Sequence, residues 1–179
     1  MEDTDKKINT FWGNIFSSRK DSDSDSDTDI LRKCLIFQKL SRRELKKIAN
    51  IIYERKYSAG EHLFEKGQPG AAMFILKKGL IKVVATDRDG GEMELADLQA
   101  EDFLGELALL DDSPRSASAR AIEDTEALAF FREDLYRLLD TNPDIASKIF
   151  KELAIIIGQR LKASNEQLLY ITVGKDKRP

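Results

Sequence analysis

Residues Phe103–Arg120 read Phe-Leu-Gly-Glu-Leu-Ala-Leu-Leu-Asp-Asp-Ser-Pro-Arg-Ser-Ala-Ser-Ala-Arg. Charges are sparse in this stretch, and their neighbours are small or apolar. Gly105 leads into a short apolar turn, Glu106 to Leu110, that can start a helix. A helix start presents free backbone N–H groups and a positive dipole end. Pro114 bends the chain and sets Arg115 beside that start. Arg carries a planar fork of donors that suits a phosphate. Glu106 carries two acceptors that suit a vicinal hydroxyl. Free amides, one Arg and one Glu together describe a pocket for a phosphorylated sugar. The competing reading is a structural Glu106–Arg115 ion pair or two solvated charges, the usual fate of isolated charged residues. That reading requires the accompanying Gly, small residues and Pro to be a coincidence.

The residues before this stretch alternate like strands and are punctuated by Gly60, Gly67, Gly70 and Gly79. Short runs lie between the glycines: Glu61–Phe64, Met73–Lys77 and Leu80–Thr86. Asp87–Gly91 is a hairpin turn in which Gly supplies positive φ, and Glu92–Leu98 returns as the partner strand. After Arg115, Ser116–Ala121 and Ala127–Phe131 read as closing strands. Many short, evenly spaced strands predict a barrel or jelly roll. The expected fold class is therefore α+β: an antiparallel β-roll flanked by N-terminal helices and one long C-terminal helix.

The helices follow from apolar periodicity. Ile30–Tyr53 reads as helical, with Leu31, Leu35 and Ile36 as one apolar set and Ser41–Glu44 as a capping box. Arg132–Leu139 is a short helix. Asn142 and Pro143 then start a long one, a cap followed by a first-turn proline. Its apolar residues run from Ile145 to Leu169 on more than one face, too wide a stripe to leave in water. Heptad-like spacing through Ile149, Leu153 and Ile156 suits a parallel partner, so a homodimer through this helix is expected.

Residues 1–29 do not read as part of the domain. Asp21–Asp29 alternates Asp with Ser or Thr; it repels itself and is expected to be extended and disordered. Before it, Ile8, Phe11, Trp12, Ile15 and Phe16 share a helical face. This is a short amphipathic anchor on a tether, and an unknown protein partner could engage it through residues 1–16. Docking on its own domain is a second outcome. With two nearby lysines and an acidic run behind it, a membrane surface is the least supported of the three. The domain is expected over residues 30–170 and a short tail over 171–179.

Composition narrows the function classes. The 179 residues are 41% hydrophobic and 34% charged, with formal net charge −3. That balance suits a soluble domain and gives nucleic acid no basic face. The single Cys34 excludes an internal disulfide and a multi-cysteine metal site. His62 is the only histidine, so no Ser–His–Asp set or histidine-rich metal site is available. No catalytic residue and no metal are expected, and the chain is not read as an enzyme. It carries no apolar run long enough to span a bilayer and reads as cytoplasmic.

Phe103–Arg120 also resembles the phosphate-binding cassette of cyclic-nucleotide-binding domains, the family of the catabolite activator and of protein kinase A regulatory subunits. Phe-(x)-Gly-Glu-Leu-Ala-Leu, a short spacer and Pro-Arg-Ser-Ala are all present. The upstream glycine pattern and Phe74-Ile-Leu-x-x-Gly79 resemble the family's first half. Phe37–Leu40 matches the join between the family's first helices and its barrel. The resemblance covers about residues 30–170. It implies reversible binding of a cyclic nucleotide, cAMP or cGMP, as a regulatory sensor. It gives Glu106 the ribose 2′-hydroxyl and Arg115 the cyclic phosphate, with Gly105, Leu107, Ala108 and Ser116 lining the pocket. Gln159–Leu168 is similar to the dimer helix of the catabolite-activator branch, where two hydroxyl residues contact the adenine base, one from the other subunit. Ser164 and Asn165 stand at those positions, and Asn165 departs from the hydroxyl pattern. Only nine residues follow Tyr170, too few for a helix-turn-helix, so the resemblance points to a sensor that signals through a partner. A nucleotide-free dimerisation module with the same fold is the alternative.

Overall fold

The computed structural model describes residues 24–86 and 91–175. The anchor residues Ile8, Phe11, Trp12, Ile15 and Phe16, and turn positions 87–90, lie outside the described residues. Helix α1 (Ser24–Lys33), a 3₁₀ turn (Leu35–Phe37) and helix α2 (Arg42–Ala49) lead in. Eight strands follow: β1 (Tyr53–Tyr57), β2 (His62–Phe64), β3 (Ala72–Lys78), β4 (Ile81–Thr86), β5 (Glu92–Leu98), β6 (Phe103–Leu104), β7 (Ser118–Ala121) and β8 (Thr125–Phe131). Helices α3 (Arg132–Thr141) and α4 (Pro143–Lys175) close the chain.

The strands form two four-stranded sheets, ordered β1-β8-β3-β6 and β2-β7-β4-β5. Every strand pair is antiparallel. The expected α+β roll with helices at both ends is the fold observed. The continuous apolar run Met73-Phe74-Ile75-Leu76 shows how the layers stack. Alternate side chains of a strand leave opposite faces. Met73 and Ile75 enter one core with Leu128 and Phe130 of β8. Phe74 and Leu76 enter a second core with Ala127 and Ala129. The first sheet is thus buried on both faces, by the helices on one side and by the second sheet on the other. In the first core Phe37 meets Phe130 edge-on, with ring centroids 5.7 Å apart.

The start of the domain differs from the sequence expectation. The acidic run was expected to be extended through Asp29, yet it is helical from Ser24. Asp27 and Thr28 are buried. Asp27 accepts from Lys77 Nζ at 2.8 Å, and Glu54 lies 3.7 Å from the same ammonium. Burial works against that ammonium, but the two carboxylates outweigh it and its pKa ends above the usual lysine value. Self-repulsion among the aspartates yields to one cation supplied by β3. The helical reading of Ile30–Tyr53 also breaks up. The chain turns at Cys34, so Leu31, Ile36 and Phe37 are buried while Leu35 is exposed, and Tyr53 already opens β1. The capping box at Ser41 and Glu44 is present in both halves. Cys34 is a core residue, its thiol pushed up to about 12 by burial.

Helix α4 starts at Pro143 as expected and runs on to Lys175, through the first five residues of the expected tail. Its seam is corrected. Ile149, Leu153 and Ile156 are 0%, 1% and 6% exposed in the chain's own core, so they cannot also face a partner. Heptad spacing marks a buried face but does not say what buries it. Among the described side chains of this helix, Ile155 and Leu161 are the exposed large apolar residues.

Candidate functional site

Phe103 and Leu104 pair with Ile75 and Phe74 on β3, which anchors the start of the cassette in the first sheet. Gly105 then takes φ +75°, a left-handed conformation that only glycine adopts freely. Glu106–Leu109 forms a four-residue 3₁₀ turn. The chain returns through Pro114, which bridges Pro69. Arg115 N donates to Gln68 O, and Gly67 N donates to Arg115 O, each at 2.8 Å. The loop of Gly67 and Gly70 is thus stitched to Pro114–Arg115. The two glycine-marked motifs, far apart in sequence, form facing walls.

Arg115 lies between those walls and is 9% exposed. Its Nη2 donates to Ala72 O at 2.6 Å and its Nη1 to Gly105 O at 3.2 Å. Its Nε is buried without a hydrogen-bond partner. The guanidinium carbon stands 4.1 Å from the centre of the Phe64 ring and 5.9 Å from that of Phe74. Burial pulls its pKa from 12.5 down to about 10, although Tyr57 and Glu106 pull the other way. A buried cation held by carbonyls and aromatic faces is undercompensated, since buried charges are normally paired. Gly105 and Gly70 permit this placement. A Cβ on Gly105 would lie 2.4 Å from Arg115 Nη1, and one on Gly70 would lie 2.8 Å from Ala108 Cβ.

Glu106 is equally buried, at 5% exposed, but it is paired. Its Oε1 accepts from Arg160 Nη1 of α4 at 2.5 Å. The Arg160 guanidinium also lies 5.1 Å from the centre of the Phe103 ring. The structural Glu106–Arg115 ion pair weighed from sequence is therefore not what forms. The acid is matched by a residue that lies inside the Gln159–Leu168 stretch and has no role in the sequence reading. Arg132 was also missed; its contacts are mostly backbone carbonyls, which no sequence pattern encodes.

The structure brings Gly105, Glu106, Ala108 and Arg115 together. Leu107 and Ser116 are exposed beside them. Ser164 and Asn165 are exposed on α4. Ser164 is one turn beyond Arg160, so the two share a helix face. Asn165 falls one turn beyond Leu161 and shares the exposed face with that residue instead. His62, at the start of β2, is exposed, with Nδ1 4.0 Å from Glu65. Among the described residues no cluster of three His, Cys, Asp or Glu side chains is placed to hold a metal.

Against known proteins, the sequence pattern described as "Cyclic nucleotide-binding domain" matches residues 54–142. The "Cyclic AMP receptor protein" of Thermus thermophilus is 35% identical over 133 residues, covering 74% of this chain and 60% of that protein. A "cAMP-dependent protein kinase regulatory subunit" of Aspergillus fumigatus is 36% identical over 115 residues, 64% of this chain and 27% of that subunit. The crystal structure of the Thermus thermophilus catabolite activator protein superposes with a TM-score of 0.71 at 33% identity, covering 77% of this chain and 63% of that one. The chain thus spans less than two thirds of the length of either curated relative.

Proposed function

The chain belongs to the cyclic nucleotide-binding domain family, and from that premise we propose that it reversibly binds cAMP as a regulatory sensor. One observation carries the reading: Arg115 is buried, lacks a carboxylate partner among the described residues and has an unbonded Nε between two glycine-lined walls. A singly charged cyclic phosphate suits such a group. In this reading Arg115 takes the phosphate and Glu106 accepts from the ribose 2′-hydroxyl. Gly105 and Ala108 allow close approach, while Leu107 and Ser116 form the rim. Ser164 would face the base. The two curated relatives are a receptor and a regulatory subunit by name, which supports binding rather than catalysis. No described helix is long and apolar enough to cross a membrane, and the proposed setting is cytoplasmic, working through a partner protein.

The test is titration calorimetry with cAMP, cGMP and a cyclic dinucleotide, paired with thermal melts. The expected result is saturable binding of cAMP and a raised Tm. Ligand at about one hundred times Kd adds about 2.7 kcal/mol to the folded state. No heat and no Tm change with either mononucleotide would leave the nucleotide-free dimerisation module as the reading.

A homodimer through α4 is part of the proposal, with its seam moved to the exposed residues. Ala154, Leu161 and Asn165 are exposed, and with Gly158 they follow alternating steps of four and three, the spacing of a two-helix seam. Asn165 would then reach the partner's site. Leu161→Asp is expected to give a folded monomer in sedimentation equilibrium. A dimer of unchanged strength would remove this seam.

A further inference from the structure

We propose that Arg132 is the positioning residue that fixes the phosphate end of the cassette, a role that rests on the cyclic-nucleotide reading. Arg132 is the first residue of α3, directly after β8. Its backbone N–H donates to Ala71 O at 2.9 Å. Its Nη1 reaches Gly70 O at 3.3 Å and Ala108 O at 3.2 Å. The same nitrogen donates to Asp111 O, and Nη2 meets the Asp112 carboxylate.

These acceptors belong to the two separate segments that wall Arg115. Gly70 and Ala71 close the glycine loop; Ala108, Asp111 and Asp112 lie on the cassette turn and its exit. The segments touch where Gly70 meets Ala108, and a Cβ on Gly70 would also come within 3.5 Å of Arg115 Nε. One guanidinium therefore pins both walls and sets the gap that Arg115 occupies. Helix capping does not account for it, because a cation at a helix N-terminus works against the dipole. The first turn otherwise carries Glu133 and Asp134. Nη1 meets carbonyls of both segments while Nη2 holds the Asp112 carboxylate; a lysine ammonium, a single point, does not keep both ends.

The experiment is a double-mutant cycle on the full chain. Arg132→Ala and Arg132→Lys are made alone and with Arg115→Ala, then titrated with cAMP and melted without it. Arg132→Ala is expected to weaken cAMP binding about tenfold, and Arg132→Lys, which gives up the Asp112 end, by a few-fold. In the Arg115→Ala background the same changes should cost little further affinity, while any loss of Tm stays the same in both backgrounds. Should Arg132→Ala fail to fold, the Arg132→Lys arm carries the cycle. Unchanged affinity, or an equal loss with and without Arg115, would overturn the positioning role while leaving cAMP binding in place. A wild-type chain that does not bind cAMP would overturn both.

Discussion

The two ends of the cassette bury opposite charges and treat them in opposite ways. Arg115 is walled by its own neighbourhood, with two carbonyls and a phenyl face but no ion-paired acid among the described residues. Glu106, at the other end of the stretch, is neutralised by Arg160 from a helix that lies outside the roll. The difference teaches a division of labour. The Arg115 end is shaped by local backbone and holds the buried cation that the proposed reading assigns to an anion. The Glu106 end is completed from a distance, by Arg160 of α4.

The largest expected effect breaks the Arg115 end. A charge-assisted bond contributes about 1.5–3 kcal/mol, so Arg115→Ala should weaken cAMP by roughly ten- to a hundredfold. Arg115→Lys should recover little, because a point charge does not reproduce the fork. Calorimetric affinity unchanged in Arg115→Ala would remove its phosphate role.

Next comes Gly105→Ala, which disturbs the same end without touching its charge. The new Cβ meets Arg115 Nη1 and sits at φ +75°, a conformation that costs a non-glycine residue about 1–3 kcal/mol. About tenfold weaker cAMP binding with a lowered Tm is expected. Wild-type values in both measurements would show that Arg115 is not confined as described.

A smaller effect is expected at the Glu106 end. Arg160→Ala should weaken cAMP by a few-fold, on the order of 1 kcal/mol, and should leave the Arg115→Ala penalty unchanged. The 2′-deoxy ligand should bind wild type less well than cAMP, and Glu106→Gln should shrink that gap. A full 2′-deoxy gap in Glu106→Gln would assign the acid to structure alone.

The least effect sharpens the comparison by loosening α4 at another of its ties. Glu44 of α2 accepts from Lys148 at 2.6 Å. The Lys148 bond and the Ser41 amide hold its pKa at about 2, below the ordinary 4.5. A folded-state pKa below the unfolded one makes the stabilisation complete above about pH 4.5, and it fades as pH falls towards about 2. Glu44→Gln should lose that part of the acid limb in pH-dependent melts and leave phosphate affinity alone. An identical acid limb in the variant would show that the tie contributes nothing.

The parts of this molecule legible in sequence were those set by neighbours. The glycine-punctuated strands, the Ser41 capping box, the Pro143 helix start and the cassette's spacing all depend on residues a few positions apart. What stayed hidden depends on partners far along the chain. Asp27 is helical and buried because Lys77 answers it. Ile156 looked like part of a dimer seam, but the chain's own core covers it. Arg160 could have been suspected from its one-turn spacing to Ser164, but its pairing with Glu106 needed the fold. Arg132 left no trace, since a bond to a carbonyl is indifferent to the side chain of the residue that provides it.

The Arg160–Glu106 contact joins residues 54 positions apart, which gives the protein a schedule as it leaves the ribosome. At about 5–20 residues per second, α4 residue Arg160 is added about 3–11 s after Glu106. The strands and the Arg115 walls can assemble in that interval. During it Glu106 must stay hydrated or find a temporary cation, because a buried lone carboxylate is costly. The order of synthesis thus places the roll's strands ahead of the cation that closes its Glu106 end.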